Sequence, residues 1–532
     1  MLPRTPPPAG HGIRADRSTR LVDDGRLVIG GSPPHTRALT TAQAGEIIRW
    51  LSGAAPTDTA GRTLAADLIA AGMAHPRPPS PYPAVLPSST TVEVDGAPSR
   101  AAALTDARTD VIALVPPGAL PEPGWLESAL THFTDPSVAA VVPRVLPDRT
   151  RPLGYVEAAV AAVAADLLGL DRGADPGPVL PWGHTRPGQA PPGPAGEFPT
   201  TDPLCSVPVL LVRRRALGPG RRPGTENGAS ASAPGAAPLA PEADTTRATE
   251  QDGTPCSDSH DVTTVFVLSR TVLAPAAHYD PGLGESADID LLWTLAETGW
   301  SVRHEPRSRV RVPVPTDPAG YLRACYALGA AAGPLARRRG CGAAGPELPW
   351  TAATGAALLL AGRPGAALVA GVLGCGARTL ALIGHSSGGD GRVPPQEAAL
   401  LAGLDLAVSA RTGVRAIRTT WWPVAVAIGA AGVVVAKGHR SGKTRRRPAV
   451  RTAAVAATLV LPHVFSWRRR RGTFPVDPLT WVALRTAGDA ARSLGTWRGA
   501  ARARTLAPLL PRLRPRRLRQ WLRSDARADT GR

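Results

Sequence analysis

The residues best suited to chemistry lie in GESADIDLLWTLAETGW, positions 284–300. Glu285, Asp288 and Asp290 stand at the head of an apolar, helix-like run. A helix N-terminus favours an ionised carboxylate, and that one fact serves two ends. Ser286 or Asp288 can simply cap the helix. Alternatively, a carboxylate carried by the loop after a strand faces the crevice at the carboxyl edge of an α/β sheet, where it can act as a general base toward a hydroxyl. Spacing alone leaves both open. Cys205, Cys256, Cys325, Cys341 and Cys375 are scattered, odd in number and free of CxxC or Cys/His spacing. This argues against a zinc site and against a secreted disulfide framework.

The elements that must position these carboxylates can be read from periodicity. VTTVFVLSR (262–270) predicts a strand before the acidic cluster, and SVRHEPRSRVRVPVP (301–315) predicts another after it. Further upstream, TDVIALV (109–115) and VAAVVPRV (138–145) predict buried strands around a helix in PEPGWLESALTHFTDP (121–136). That order fits a piece of α/β sheet. YVEAAVAAVAADLLGLD (155–171) and DPAGYLRACYALGAAAGPLARRRG (317–340) predict helices, and CSVPVLLVRRRAL (205–217) a strand and turn. Residues 218–261 are Ala, Pro, Gly, Ser and Thr with little to bury, which predicts a disordered insertion.

Ahead of the sheet, residues 1–18 are expected to be a flexible Pro/Gly leader without the apolar core of a cleavable signal peptide. From Thr19 a compact unit to residue 77 is expected. TRLVDDGRLVIGG has two short apolar runs split by Asp-Asp-Gly, a hairpin signal. Two helices follow, in 40–53 and 63–76, the first with a Thr cap and Ala42, Ile47, Ile48 and Leu51 on one face. This content suggests a small winged-helix-like α+β module.

Behind the sheet, composition changes. With 61 basic against 42 acidic residues the chain carries a net charge of +19. Past Lys437 the only acids are Asp477, Asp489, Asp525 and Asp529, among TRRRP (444–448), RRRR (468–471) and RLRPRRLRQWLR (512–523). Three apolar stretches, 350–384, 420–436 and 452–465, share this region. A span needs about 20 apolar residues, with ~17 the lower limit, and by that measure only 420–436 is long enough. Trp421, Trp422 and the flanking arginines suit a membrane interface with the basic side cytoplasmic. The basic tail is then read as facing lipid, and no nucleic-acid module accompanies it.

The ordered segments resemble a known family. TRLVDDGRLVIGGSP, DLIAAGMAHPRPP, PGWLESALTHFTDPSVAAVVPRV, DIDLLWTLAETGWSVRHEPRSRVR, GPLARRRG, WWPVAVAIG, VDPLTWVALRTAGDAARSLGTWRG and RTLAPLLPRL together resemble the family 2 glycosyltransferase of the mycofactocin system. The resemblance implies an α/β fold: a GT-A-like nucleotide-sugar transferase sheet at 78–345, truncated in its donor half. A winged-helix-like peptide-binding module precedes it at 19–77, and a membrane-associated helical region follows at 346–532. It implies hexose transfer, with UDP-glucose the expected donor, to a peptide-derived mycofactocin precursor, at the cell membrane with the catalytic part cytoplasmic. Asp288 matches the catalytic base, with Asp290 and Glu285 beside it. The family's divalent metal is held by Asp-x-Asp, but that position here reads Pro116, Pro117 and Gly118, and its companion His falls near Val312. Only 30 or so residues, 78–108, remain for donor-binding units. Two readings therefore stay open: a transferase that holds the diphosphate without metal, through arginines such as Arg144 or Arg303, or a non-catalytic relative acting as a membrane-anchored peptide-binding scaffold.

Overall fold

The computed structural model describes residues 6–31, 35–79, 92–94, 100–106, 109–168, 170–171, 207–217, 279–340, 345–385, 394–438, 442–472 and 476–514. Both 218–261 and the strand expected at 262–270 lie outside them.

The front module comprises β1 (Gly12–Ala15), β2 (Arg20–Val22), β3 (Leu27–Gly30), β4 (His35–Ala38), α1 (Thr41–Leu51), α2 (Thr59–Ala70) and β5 (Ala74–Arg77). The hairpin at Asp-Asp-Gly forms as expected: Asp23, Asp24 and Gly25 all have positive φ, and β2 pairs antiparallel with β3. Thr40 caps α1 in a reciprocal box with Gln43, satisfying two orphan backbone donors. The leader assignment needs correction, because Gly12–Ala15 pairs antiparallel with Ala74–Arg77. A four-residue strand whose partner lies some sixty residues on has no local signal. The buried face of α1 is also Ala44, Ile47 and Trp50, while Ile48 and Leu51 are exposed.

The central sheet holds β6 (Val92–Val94), β7 (Val111–Leu114), β8 (Leu120–Pro121), β9 (Val138–Pro147), β10 (Leu210–Arg213) and β11 (Ser301–Val312), ordered β6-β7-β10-β9-β11-β8. Helix α3 (Arg100–Asp106) links β6 to its parallel neighbour β7, so the short segment before residue 109 still supplies one strand–helix–strand unit. The helix expected in 121–136 is shorter: β8, then α4 (Trp125–Leu130), then a 3-10 turn at Thr131–Thr134. Helix α5 (Tyr155–Leu167) follows β9. Strand β7 is buried on both faces. Ile112 and Leu114 face a cluster with α6 (Ala287–Glu297), whereas Val111 and Ala113 face α4, as the two-residue period of a strand requires.

Helices α7 (Pro318–Ala330) and α8 (Ala332–Arg339) divide, at Ala331, what reads as one helix in sequence. Beyond them come β12 (Glu347–Pro349), α9 (Trp350–Leu360), α10 (Pro364–His385), α11 (Pro395–Thr419), α12 (Trp422–Gly438), α13 (Gly442–Arg470), α14 (Pro478–Arg502) and β13 (Arg512–Arg514). α14 lies against α7 through glycines. A Cβ at Gly329 would strike the Arg492 carbonyl, and one at Gly495 the Tyr326 carbonyl. The outer residues of β3, Leu27 and Ile29, pack on Ala398 and Leu401 of α11, fastening the front module to this helical region.

The membrane expectation shifts as well. Among the described residues the one single helix long and apolar enough to cross a membrane is Pro448–Arg470 of α13. The 420–436 stretch forms α12, of 17 residues, and passes the same test only jointly with α11, across a bend of 83°. Sequence shows 452–465 as a short apolar run, but the helix continues through its flanks and gains the missing length. Leu368, Val369, Val372, Leu373 and Leu380 of α10 remain exposed.

Candidate functional site

The chain enters α6 through a 3-10 turn at Pro281–Ser286, with Gly284 at φ 55°. Ser286 is fully buried and its hydroxyl reaches the carbonyls of Leu283 and Ala331, at 3.1 and 3.0 Å. Its side chain makes no N-cap bond to α6. It ties the start of α6 to the break between α7 and α8 instead, which leaves the first-turn carboxylates to other roles.

The three candidate residues separate sharply. Glu285 is exposed. Asp290 is fully buried and anchored to α8: Arg339 donates from Nε to its Oδ1 and from Nη2 to its backbone carbonyl, and Arg338 Nε lies 3.0 Å from Oδ2. Arg339 also binds Glu297 at 2.6 Å and sits over the Trp293 ring. Asp290 thus holds α6 and α8 together, on the opposite face of the helix from Asp288.

Asp288 is different. It is 7 % exposed and receives one charged bond, 2.5 Å from Arg100 Nη1 to Oδ2. Its Oδ1 is buried with no hydrogen-bond partner among the described residues. Burial pushes its carboxyl above the ordinary range, although Arg100 and the Tyr279 hydroxyl pull the other way. Burial, with the charge of Asp288 next, in turn raises the Tyr279 hydroxyl. A carboxylate disfavoured in its charged form is one that takes up a proton readily.

Sequence reasoning missed Arg100. It comes from α3, 188 residues away, and is fixed by the carbonyls of Val207, at 3.1 Å from Nη1, and Pro208, bonded to Nη2, just before β10. No local pattern marks it, since only the sheet brings α3, the lead-in to β10 and α6 together. The arginines expected to serve here lie elsewhere. Arg144 is bound to Asp171 at 2.7 Å. Arg303 is a half-buried neighbour of Asp135 and His11, between the sheet and the front module.

Pro116, Pro117 and Gly118 form the turn that leaves β7, closed by the Ala119 N–H on the Pro116 carbonyl at 3.1 Å. Gly118 has φ +75°. None offers a side-chain ligand, and among the described residues no group of three or more His, Cys, Asp or Glu is placed to hold a metal ion. The described residues therefore do not fit the divalent cation that the resemblance implies.

A second buried ionisable group adjoins the front module. His132 and Glu305 pair at 2.8 Å, and Arg307 binds the same carboxylate. Burial raises the Glu305 carboxyl, but those bonds outweigh it and hold the group down at about 2. A third surrounds Asp489 of α14, bound by Arg418 at 2.7 Å and by His463 of α13 at 2.9 Å. Burial works against its charge, yet Arg418, His463 and Arg485 keep its carboxyl well below the usual range.

No protein-family model and no solved structure match this chain. Among curated proteins it is similar to two relatives named pre-mycofactocin glycosyltransferase, from Mycobacterium tuberculosis strains CDC 1551 and H37Rv. Each is 24 % identical over 571 aligned positions, covering 95 % of this chain and 98 % of the relative. The similarity runs through the front module, the sheet and the helical region alike, so the resemblance holds over nearly the whole chain.

Proposed function

We propose that this chain is a glycosyltransferase of the mycofactocin system, moving a hexose from a nucleotide-sugar to a peptide-derived acceptor. Asp288 carries the proposal: a buried carboxylate at the head of α6, raised in pKa, with one oxygen unbonded. In the transfer, Asp288 takes the proton of the acceptor hydroxyl as that oxygen attacks the anomeric carbon. The bond from that carbon to the diphosphate breaks, and the nucleoside diphosphate leaves with the electron pair. Water exclusion around Asp288 strengthens each of these interactions.

The mixed sheet is then the nucleotide-sugar domain, of GT-A type and family 2, with UDP-glucose the donor to try first. The front module is the part that holds the peptide, fastened through β3 to α11. The helical region is the membrane-associated part, supported by the length and apolarity of Pro448–Arg470 and the exposed aliphatic stripe of α10.

The test is hexose transfer by the full chain from labelled UDP-glucose to a peptide-derived mycofactocin precursor, compared with Asp288→Asn. Transfer that Asp288→Asn reduces by about 10²-fold or more supports the proposal. The second reading, a membrane-anchored scaffold, is favoured by Pro116-Pro117-Gly118. It prevails if the chain binds the precursor but neither transfers hexose nor binds UDP.

A further inference from the structure

We propose that Arg100 is the diphosphate-binding residue of this site and that it stands in for a divalent cation. The inference rests on the glycosyltransferase reading and adds to it the group that meets the leaving diphosphate. A guanidinium has five N–H donors in a planar fork. Three are used here: Nη1 donates to Asp288 and to the Val207 carbonyl, and Nη2 to the Pro208 carbonyl. The Nε–H and the second Nη2–H carry no bond among the described residues. These two point the same way from one edge of the plane, the edge that grips two phosphate oxygens at once.

Position supports the assignment. The Arg100 side chain is 20 % exposed and that of Asp288 is 10 % exposed, so the pair lies just beneath the surface and the open edge is reachable. Val207, one of its carbonyl anchors, is a buried core residue. The guanidinium is therefore held in place before any ligand arrives, and binding costs little reorganisation. An anion on the open edge breaks none of the three existing bonds. It would lie across the guanidinium plane from Asp288, which Nη1 holds, so leaving group and base would share one arginine. Pro116-Pro117-Gly118 offers a metal no side-chain ligand, and Arg100 brings positive charge to Asp288 without one.

The experiment is calorimetry on the full chain in EDTA with UDP, inorganic pyrophosphate and uridine. UDP and pyrophosphate are expected to bind, and uridine to bind at least about tenfold more weakly than UDP. A UDP affinity above that of pyrophosphate assigns a nucleoside diphosphate; equal affinities assign the diphosphate alone; both uphold Arg100. Arg100→Gln alone leaves Asp288 without a counter-charge, so the deciding pair is Asp288→Asn against Arg100→Gln/Asp288→Asn, with thermal melts to show that both fold. Asp288→Asn is expected to keep UDP affinity within about threefold, and the double variant to lose at least about tenfold. Arg100→Lys, which keeps the charge without the fork, checks the result if the double variant does not fold: it is expected to weaken pyrophosphate binding. Equal UDP affinity in Asp288→Asn and the double variant, unchanged pyrophosphate binding in Arg100→Lys, or UDP binding that appears only when Mn²⁺ is added, overturns the proposal. Arg100-dependent UDP binding without hexose transfer upholds the diphosphate site while the transferase reading falls. Transfer that needs Mn²⁺ and ignores Arg100 does the reverse.

Discussion

Asp288 in the sheet half and Asp489 in the helical half are both buried carboxylates facing arginine, yet their acidities move in opposite directions. Asp489 sits among Arg418, His463 and Arg485, and these outweigh its burial. Asp288 has Arg100 and a tyrosine hydroxyl, and burial wins. The difference lies in how many groups stabilise the charge. A carboxylate with its charge fully compensated is a strut. One left partly uncompensated is available for proton transfer. Asp290, two residues from Asp288, falls with the struts because two arginines of α8 close on it.

Five measurements would break or sharpen this contrast. The largest effect is expected from Asp288→Asn on transfer, a loss of about 10²- to 10⁴-fold. Chemical denaturation of the same variant should cost less stability than the loss of Asp489, because Arg100 is 20 % exposed and keeps its two carbonyl partners. The mirror case is Asp489→Asn, which strands Arg418 and His463. Its denaturation midpoint should fall by the equivalent of about 3–5 kcal/mol, and a stability change as small as that of Asp288→Asn would erase the distinction.

Glu305 offers a third carboxylate, on the compensated side. Its pKa is lowered from 4.5 to about 2, so its contribution to stability is fully present above pH 4.5 and is lost as pH falls through about 2. Acid unfolding of Glu305→Gln should therefore lack roughly 3 kcal/mol of the pH-dependent stability of the parent chain over that window. Parallel acid profiles would show the His132–Glu305 pair to be unformed. The smallest effect is a shift along the pH axis. With its pKa raised, Asp288 should give a rate profile whose acid limb lies above the ordinary aspartate value of 3.8, kcat falling as pH drops through it. A limb at or below 3.8 would place Asp288 with Asp489.

Much of the frame was legible before any coordinates. The Thr40 cap, the Asp-Asp-Gly hairpin, the doubly buried β7 and the helix starting at the acidic cluster are local patterns of turn chemistry and periodicity, and each formed where it was read. Elements with remote partners were not legible. β1 is a strand because β5 pairs with it, and α13 reaches spanning length because helix continues through its basic flanks. The break between α7 and α8 falls where Ser286 bonds the Ala331 carbonyl. Of the site, Asp288 was picked out and Arg100 was missed. Arg144, offered as one way to hold a diphosphate, lies against Asp171, and Arg303 lies near Asp135.

The sequence by itself determined which residues carry charge at the head of α6, and that Pro116-Pro117-Gly118 offers no side chain to a metal. These follow from residue type and order alone. Only the tertiary structure decided which carboxylate is closed on by two arginines and which meets one. That depends on burial and on cations delivered from far along the chain: Arg338 and Arg339 from α8 to Asp290, and Arg100 from α3 to Asp288. The partners of a buried carboxylate are set by the whole fold, not by its neighbours in sequence.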